Sequence, residues 1–94
     1  MNTGNPATAK VLAEVAAERA RQDEKWGGAA HDDTRTTTEF AQMIQDFAGW
    51  ARANFCMGGE QGRVNARRRL MQVAALAVAA VESFDRKART AEKP

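Results

Sequence analysis

Residues 70–81 constrain the fold more than any other part of this sequence. Every residue in the run is apolar except Gln72, and a helix that is apolar on nearly every face must be surrounded by protein. The run ends at Glu82 and Asp85, which a helix places on one face. Carboxylates that continue a buried surface need a proton, a partner cation or a metal ion. The end of this helix is therefore a candidate site.

Length and composition predict one small all-α domain. The chain has 94 residues, of which 44% are hydrophobic, and a domain of this size builds only a modest core. We expect a bundle of three main helices with a long central C-terminal helix, in a single domain over residues 1–94. Its ordered core is expected at about residues 6–88, between flexible tails at residues 1–5 and 89–94. Alanine-rich helices bury little bulky surface, so we also expect a homo-oligomer.

Cysteine usage and the terminal residues predict a compartment. Cys56 is the only cysteine, which excludes an internal disulfide and suits the reducing cytoplasm. The first residues lack the basic and apolar regions of a signal peptide, and the apolar run is too short to span a bilayer. We expect a cytoplasmic protein that does not enter a membrane.

Capping signals predict the helix boundaries. The first helix is expected to begin at Asn5 and Pro6 and to end at the glycines after Trp26. Residues 27–35 are polar and rich in turn formers, which predicts a loop. A capping box at residues 36–39 predicts the start of the second helix, which reaches the glycines at 58 and 59. The third helix is expected from about residues 62–65 to about Lys87.

The charges are divided along the chain. Residues 1–60 hold six Lys/Arg and nine Asp/Glu, whereas residues 61–94 hold eight and three. The basic side chains crowd the start of the third helix, where the macrodipole is already positive. Either they pair with acids of the other helices, or they bind a phosphate-type ligand. Nucleic acid is a weaker alternative, because no nucleic-acid-binding motif accompanies the cluster. Its members are Arg63, Arg67, Arg68 and Arg69.

Four acids form a candidate metal set. Glu18 lies on the apolar stripe of the first helix, with Glu14 one turn earlier beside it. Glu82 and Asp85 share a stripe on the third helix. If these helices pack antiparallel, or meet across a dimer interface, the four carboxylates could converge, and Mg²⁺ prefers such oxygen ligands. The alternative is that each acid is satisfied by a nearby arginine, such as Arg19, Arg21 or Arg86.

A polar segment between the first two helices carries candidate ligand-binding residues. His31, Asp32 and Asp33 are adjacent, and their ordinary role is turn formation or capping. The alternatives are Mg²⁺ coordination or a hydrogen bond to a ribose. A zinc site is not expected, because the chain has no second histidine. Trp26 is either a core residue or a platform for a base.

Three segments resemble a family of small phage and prophage proteins: residues 18–27, residues 31–33 and residues 69–86. More distantly, the acid pairs are similar to those of MazG-like all-α nucleoside triphosphate pyrophosphohydrolases. Glu82 and Asp85 have the Glu-x-x-Asp spacing of that pattern, whereas Glu14 and Glu18 are four residues apart instead of three. The first pair therefore departs from the pattern.

The resemblance implies a phage-type nucleotide- or phosphate-binding protein with a Mg²⁺-dependent pyrophosphohydrolase activity. In that reading the four acids hold Mg²⁺, Lys25 and the arginine cluster neutralise phosphate charge, and Trp26 or Trp50 stacks a base. The alternative is a non-enzymatic anti-defence protein, located in the host cytoplasm, that sequesters a signalling nucleotide or binds and inhibits a host defence protein.

Overall fold

The computed structural model describes residues 4–92, which form four helices and no strand. They are α1 (Pro6–Trp26), α2 (Gly28–Asp32), α3 (Thr37–Met57) and α4 (Gly59–Glu92). Helix α4 is the longest, and each of the other three helices packs on it. The all-α class and the long central C-terminal helix are therefore confirmed.

The predicted helix starts are confirmed by their hydrogen bonds. The Asn5 side chain accepts from the backbone N–H groups of Ala7 and Thr8, with Pro6 in the first turn. At the start of α3, the Thr36 hydroxyl oxygen accepts from the Glu39 N–H, while the Glu39 carboxylate accepts from the Thr36 N–H. Both caps satisfy backbone donors that have no partner inside the helix.

Helix α2 and both ends of α4 differ from the prediction. The segment predicted as a loop contains α2, because Gly27 ends α1 in the left-handed conformation (φ 105°) and the chain then makes another helical turn. Helix α4 begins at Gly59 and runs to Glu92, beyond both expected ends. The backbone of the expected C-terminal tail is therefore helical over residues 89–92. Residues 1–3 and 93–94 of the expected tails lie outside the described part of the chain.

Helices α3 and α4 form an antiparallel hairpin with a close contact near its turn. Gly62 is buried, and a Cβ atom built on it would lie 2.6 Å from the carbonyl oxygen of Asn54. Further along, the Arg69 guanidinium lies 5.0 Å from the Trp50 ring centroid. The absence of a side chain at residue 62 thus allows the two backbones to approach.

The core is small and its residues are mostly small. Its buried apolar side chains come from α1, α3 and α4, and four of the seven are alanines: Val15, Phe40, Ala51, Ala66, Ala75, Leu76 and Ala79. The prediction that protein surrounds the run at residues 70–81 is only partly met within one chain, because Leu70 is 56% exposed and Val81 59% exposed. Among the described residues, no helix has the length and apolarity needed to cross a membrane.

Candidate functional site

The four helices enclose an interhelix cavity of about 160 Å³. Its apolar lining comes from α3 and α4, namely Phe40, Met43, Phe47, Leu76 and Ala79. Its polar and aromatic lining comes mainly from the end of α1, from α2 and from the segment after α2, namely Arg21, Gln22, Lys25, Trp26, His31, Asp32, Arg35 and Gln72. Four of the predicted ligand-binding residues are therefore brought together.

An aromatic pair borders the cavity. The rings of Trp26 and His31 stack with their centroids 6.0 Å apart and an interplanar angle of 18°. Trp26 remains 51% exposed, and the ammonium of Lys25 lies 5.0 Å from its ring centroid. The chain reversal at Gly27 brings the two rings together, because it turns α2 back beside the last turn of α1.

A guanidinium fixes the histidine of this pair. Arg35 Nη2 lies 3.0 Å from His31 Nε2, and Arg35 Nη1 contacts the Met43 sulfur at 2.9 Å. Because a guanidinium only donates hydrogen bonds, Nε2 of His31 acts as the acceptor in this contact. Arg35 thereby ties the segment after α2 to α3 beside the cavity.

Asp32 is a buried carboxylate in the cavity wall. It is 9% exposed, and its Oδ2 atom has no hydrogen-bond partner among the described residues. The nearest cation is Arg19, whose Nη2 lies 3.6 Å from Oδ2. Burying a carboxylate oxygen without a hydrogen bond costs free energy of folding. The positive charge of Arg19 therefore stabilises the fold by compensating the buried charge of Asp32.

Arg19 is shared by three acids. It also forms ion pairs with Asp23 and Glu82, each at 3.0 Å, and its side chain is only 13% exposed. Burial acts to lower the pKa of Arg19, but the hydrogen bond to Glu82 and the charges of all three acids outweigh it and raise the pKa above its usual value. Arg19 therefore remains charged and joins α1, α2 and α4.

Asp33 makes a second connection from the end of α2 to α4. Its carboxylate accepts from the Arg86 guanidinium, with a shortest distance of 2.9 Å, and from the buried Ser83 hydroxyl at 2.7 Å. These two hydrogen bonds lower the pKa of Asp33, that from Arg86 contributing more. The Asp33 side chain thus links the end of α2 to α4.

The lowered pKa of Asp33 predicts a stability that depends on pH. The unfolded chain binds more protons than the folded chain as the pH falls through the ordinary carboxylate range near about 4, so stability is full above that range and is lost below it. We expect Asp33→Asn to show a smaller fall in melting temperature than the wild type between neutral and acidic pH. Thermal melts followed by circular dichroism measure this, and equal falls in both proteins would contradict the prediction.

The predicted metal ligands each have a different environment. Glu14 accepts from Arg67 at 2.7 Å, and Glu18 accepts from Arg21 at 2.6 Å. Each hydrogen bond lowers the pKa of its glutamate. Helix α1 runs in the same direction as α4 and not antiparallel to it, since Glu14 meets the first half of α4 whereas Arg19 meets the second half.

The donor set in this arrangement does not fit a shared Mg²⁺. Three of the four acids are already paired with guanidinium groups, and a metal ion would face those cations. Asp85 forms no ion pair within the described part of the chain. Over residues 4–92, no group of three or more His, Cys, Asp or Glu side chains is placed to hold a metal ion. The metal role of these acids stays a prediction.

No arginine of the cluster lines the interhelix cavity, although Arg69 donates a hydrogen bond at 3.3 Å to Gln72, which does. Arg67 pairs with Glu14, and Arg69 lies over the rings of Phe47 and Trp50. Arg68 lines a separate depression between α3 and α4, and Arg63 forms no ion pair within residues 4–92. The structure thus separates Arg63, Arg67 and Arg68 from the other predicted phosphate-binding residues.

Four polar residues of the cavity were not among the predicted ligand-binding residues: Arg21, Gln22, Arg35 and Gln72. Gln72 could have been predicted as a site residue, because it is the one polar side chain in the apolar run, and it lines the cavity. Gln22 could also have been predicted, since it is a polar residue on the apolar stripe of α1, one turn before Trp26.

Comparison of the chain with family models, curated proteins and solved structures finds no significant match.

Proposed function

We propose that this protein binds a nucleotide, or a related phosphorylated ring compound, in the interhelix cavity. The observation that carries the proposal is the combination of an apolar floor, a half-exposed Trp26 side chain stacked on His31, and cationic side chains in the wall. Small-molecule sites typically combine apolar walls with a few convergent polar groups. An aromatic ring would fit the apolar part of this lining, and a negatively charged substituent on the ring would fit the cationic part.

The volume limits which part of the ligand enters. Sites that enclose a drug-sized molecule measure roughly 300–1,000 Å³, and this cavity measures about 160 Å³. The ring system would therefore occupy the cavity and stack on Trp26, while the phosphates remain outside it. There they would meet first Lys25, which is exposed and forms no ion pair among the described residues. Arg21 is also exposed but is held by Glu18 at 2.6 Å. Ammonium and guanidinium groups bind phosphate well.

The ion pairs favour binding over turnover. In a pyrophosphohydrolase of the MazG-like kind, carboxylates must be available to metal ions, whereas Glu14, Glu18 and Glu82 are engaged by arginines. A non-enzymatic protein that sequesters a nucleotide in the cytoplasm needs only the cavity. The proposal thus favours the anti-defence alternative over the enzyme, with a signalling nucleotide as the ligand and a homo-oligomer as the working form.

A fluorescence titration tests the proposal. Trp50→Phe leaves Trp26 as the single tryptophan, so a ligand that stacks on it changes its emission. We expect a panel of nucleoside triphosphates and cyclic dinucleotides to include a compound that quenches this emission and raises the melting temperature. Trp26→Ala should weaken binding of that compound about fivefold or more, since stacking of a base contributes about 1–3 kcal/mol.

Matched variants decide between the outcomes. Trp50→Ala removes the other tryptophan, which lies outside the cavity lining, and should leave the affinity in calorimetry unchanged. Lys25→Ala should weaken binding more at low salt than at high salt, because its contribution is electrostatic. No response to any member of the panel, or equal losses in the two tryptophan variants, would contradict the proposal. Pyrophosphate release that requires Mg²⁺ and stops in Glu82→Gln would support the enzyme instead.

A further inference from the structure

The outward face of α4 carries an uncovered apolar stripe. Its residues follow steps of four and three along the helix, so they lie on one side of it. Three of them are large and more than half exposed, at 56%, 59% and 59% for Leu70, Val81 and Phe84. No charged residue interrupts the α4 stripe, which consists of Leu70, Ala74, Ala77, Val81 and Phe84.

The α4 stripe does not belong to the interhelix cavity. The α4 residues that line the cavity are Gln72, Leu76 and Ala79, which lie on the opposite side of the helix at the helical repeat of 3.6 residues per turn. Molecules bound at one face therefore leave the other free. The stripe also explains the apolar run in the sequence, because one chain covers only one side of that run.

The surface area of the chain matches that of a subunit with an uncovered interface. A compact monomer of 10.3 kDa exposes roughly 5,400 Å², whereas this chain exposes 6760 Å². Its radius of gyration is 15.2 Å, and a compact domain of this length has about 12.4 Å. The excess area is larger than the roughly 800 Å² that each partner buries in an interface of standard size.

We infer that a second copy of this chain covers the α4 stripe, with the two α4 helices packed antiparallel around Ala77. Small residues at the centre allow a close approach, as in other helix pairs with knobs-into-holes packing. Leu70 of each copy then lies opposite Phe84 of the other.

The charges beside the stripe favour the antiparallel direction. Arg63 and Arg67 lie near its beginning, and Arg67 already pairs with Glu14. Asp85 lies near its end together with Arg86, Lys87 and Arg89, of which Arg86 is held by Asp33 and Lys87 by the Arg35 carbonyl oxygen. An antiparallel pair brings Asp85 towards the arginines of the other copy, and Asp85 forms no ion pair in the described part of a single chain. A parallel pair would instead place each charged residue against its own copy, arginine against arginine and Asp85 against Asp85, which is unfavourable.

Mass measurement tests the second copy. Sedimentation equilibrium of the wild type should give twice the chain mass of 10.3 kDa, and Val81→Asp should weaken association about tenfold or more, because it buries a charge in an apolar contact. Leu12→Asp places the same charge on an exposed leucine of α1 and should leave the dimer intact. A monomeric wild type, or dissociation by Leu12→Asp but not by Val81→Asp, would overturn the inference. Circular dichroism of both variants should show unchanged helix content.

Cross-linking tests the direction independently of any destabilising change. In a Cys56→Ser background, Leu70→Cys and Phe84→Cys are prepared separately and then mixed under oxidising conditions. The antiparallel pair predicts a disulfide-linked dimer only in the mixture, because residue 70 lies opposite residue 84. Cross-linking of Leu70→Cys with itself would overturn the antiparallel arrangement. Nucleotide binding is measured separately, so the dimer and the binding function can fail independently, whereas a monomer would remove only the homo-oligomer from the proposed function.

Discussion

Replacing Gly62 by alanine is expected to lower the free energy of unfolding by about 1–3 kcal/mol, because it overpacks the α3–α4 contact. The added Cβ atom would lie 2.6 Å from the carbonyl oxygen of Asn54, a backbone atom that cannot rotate away. The two helices must therefore separate. Urea unfolding measured by circular dichroism gives the change, which should appear as a lower midpoint with an unchanged slope.

Gly49 is the matched control. It lies inside α3, and a Cβ atom built on it meets no atom within 4 Å. Gly49→Ala should raise the free energy of unfolding by about 0.5–1 kcal/mol, since alanine loses less backbone entropy in a helix than glycine. The two identical substitutions thus have opposite expected signs. Equal effects would show that the contact between Gly62 and Asn54 does not control the stability of the hairpin.

The helix starts could be predicted because they depend on local chemistry. Asn5 and Thr36 accept hydrogen bonds from residues two or three positions away, so the sequence nearby contains all of the interaction. The beginning of α4 was placed too late because arginines and glycines favour a helix start weakly. Helix α2 was missed for a related reason, since a single turn of five residues has too few positions to show a periodicity.

The candidate site could be predicted only in part. Lys25, Trp26, His31 and Asp32 lie within eight residues of one another, and the chain reversal at Gly27 makes them neighbours. The contacts from α3 and α4 depend on how the helices cross, which no local pattern encodes. Glu82 illustrates the difference. Its position on α4 was evident from spacing, but its partner, Arg19, lies 63 positions away in the chain.

Glu82, one of the two acids that end the apolar run, is therefore connected to the candidate site through one cation. Glu82 reaches Arg19, and Arg19 faces Asp32 in the cavity wall. Arg19 thus neutralises Glu82 at the end of the apolar run and also compensates the buried carboxylate of Asp32 in the cavity wall. A change at Arg19 consequently affects both the packing of α1 on α4 and the electrostatics of the proposed ligand site.

Arg19→Ala is expected to lower the free energy of unfolding by about 2–3 kcal/mol. The substitution removes the cation that pairs with the buried Asp32 carboxylate, and loss of one partner of a buried ion pair is strongly destabilising. The expected loss is below the full range for buried pairs because Asp23 and Glu82, at 44% and 50% exposure, can be solvated by water. Arg52→Ala is the control. It removes an exposed arginine of α3 that forms no ion pair among the described residues. This substitution should change the free energy of unfolding by no more than about 0.5 kcal/mol.

A second substitution identifies the cause of this loss. Asp32→Asn removes the uncompensated charge, so the double variant Arg19→Ala with Asp32→Asn should be more stable than Arg19→Ala alone. If the loss came instead from the packing of the arginine side chain, Asp32→Asn would give no recovery. Chemical unfolding of the wild type, both single variants and the double variant provides the complete cycle. Recovery of about half of the loss or more would show that Arg19 stabilises the fold chiefly by compensating the buried charge of Asp32.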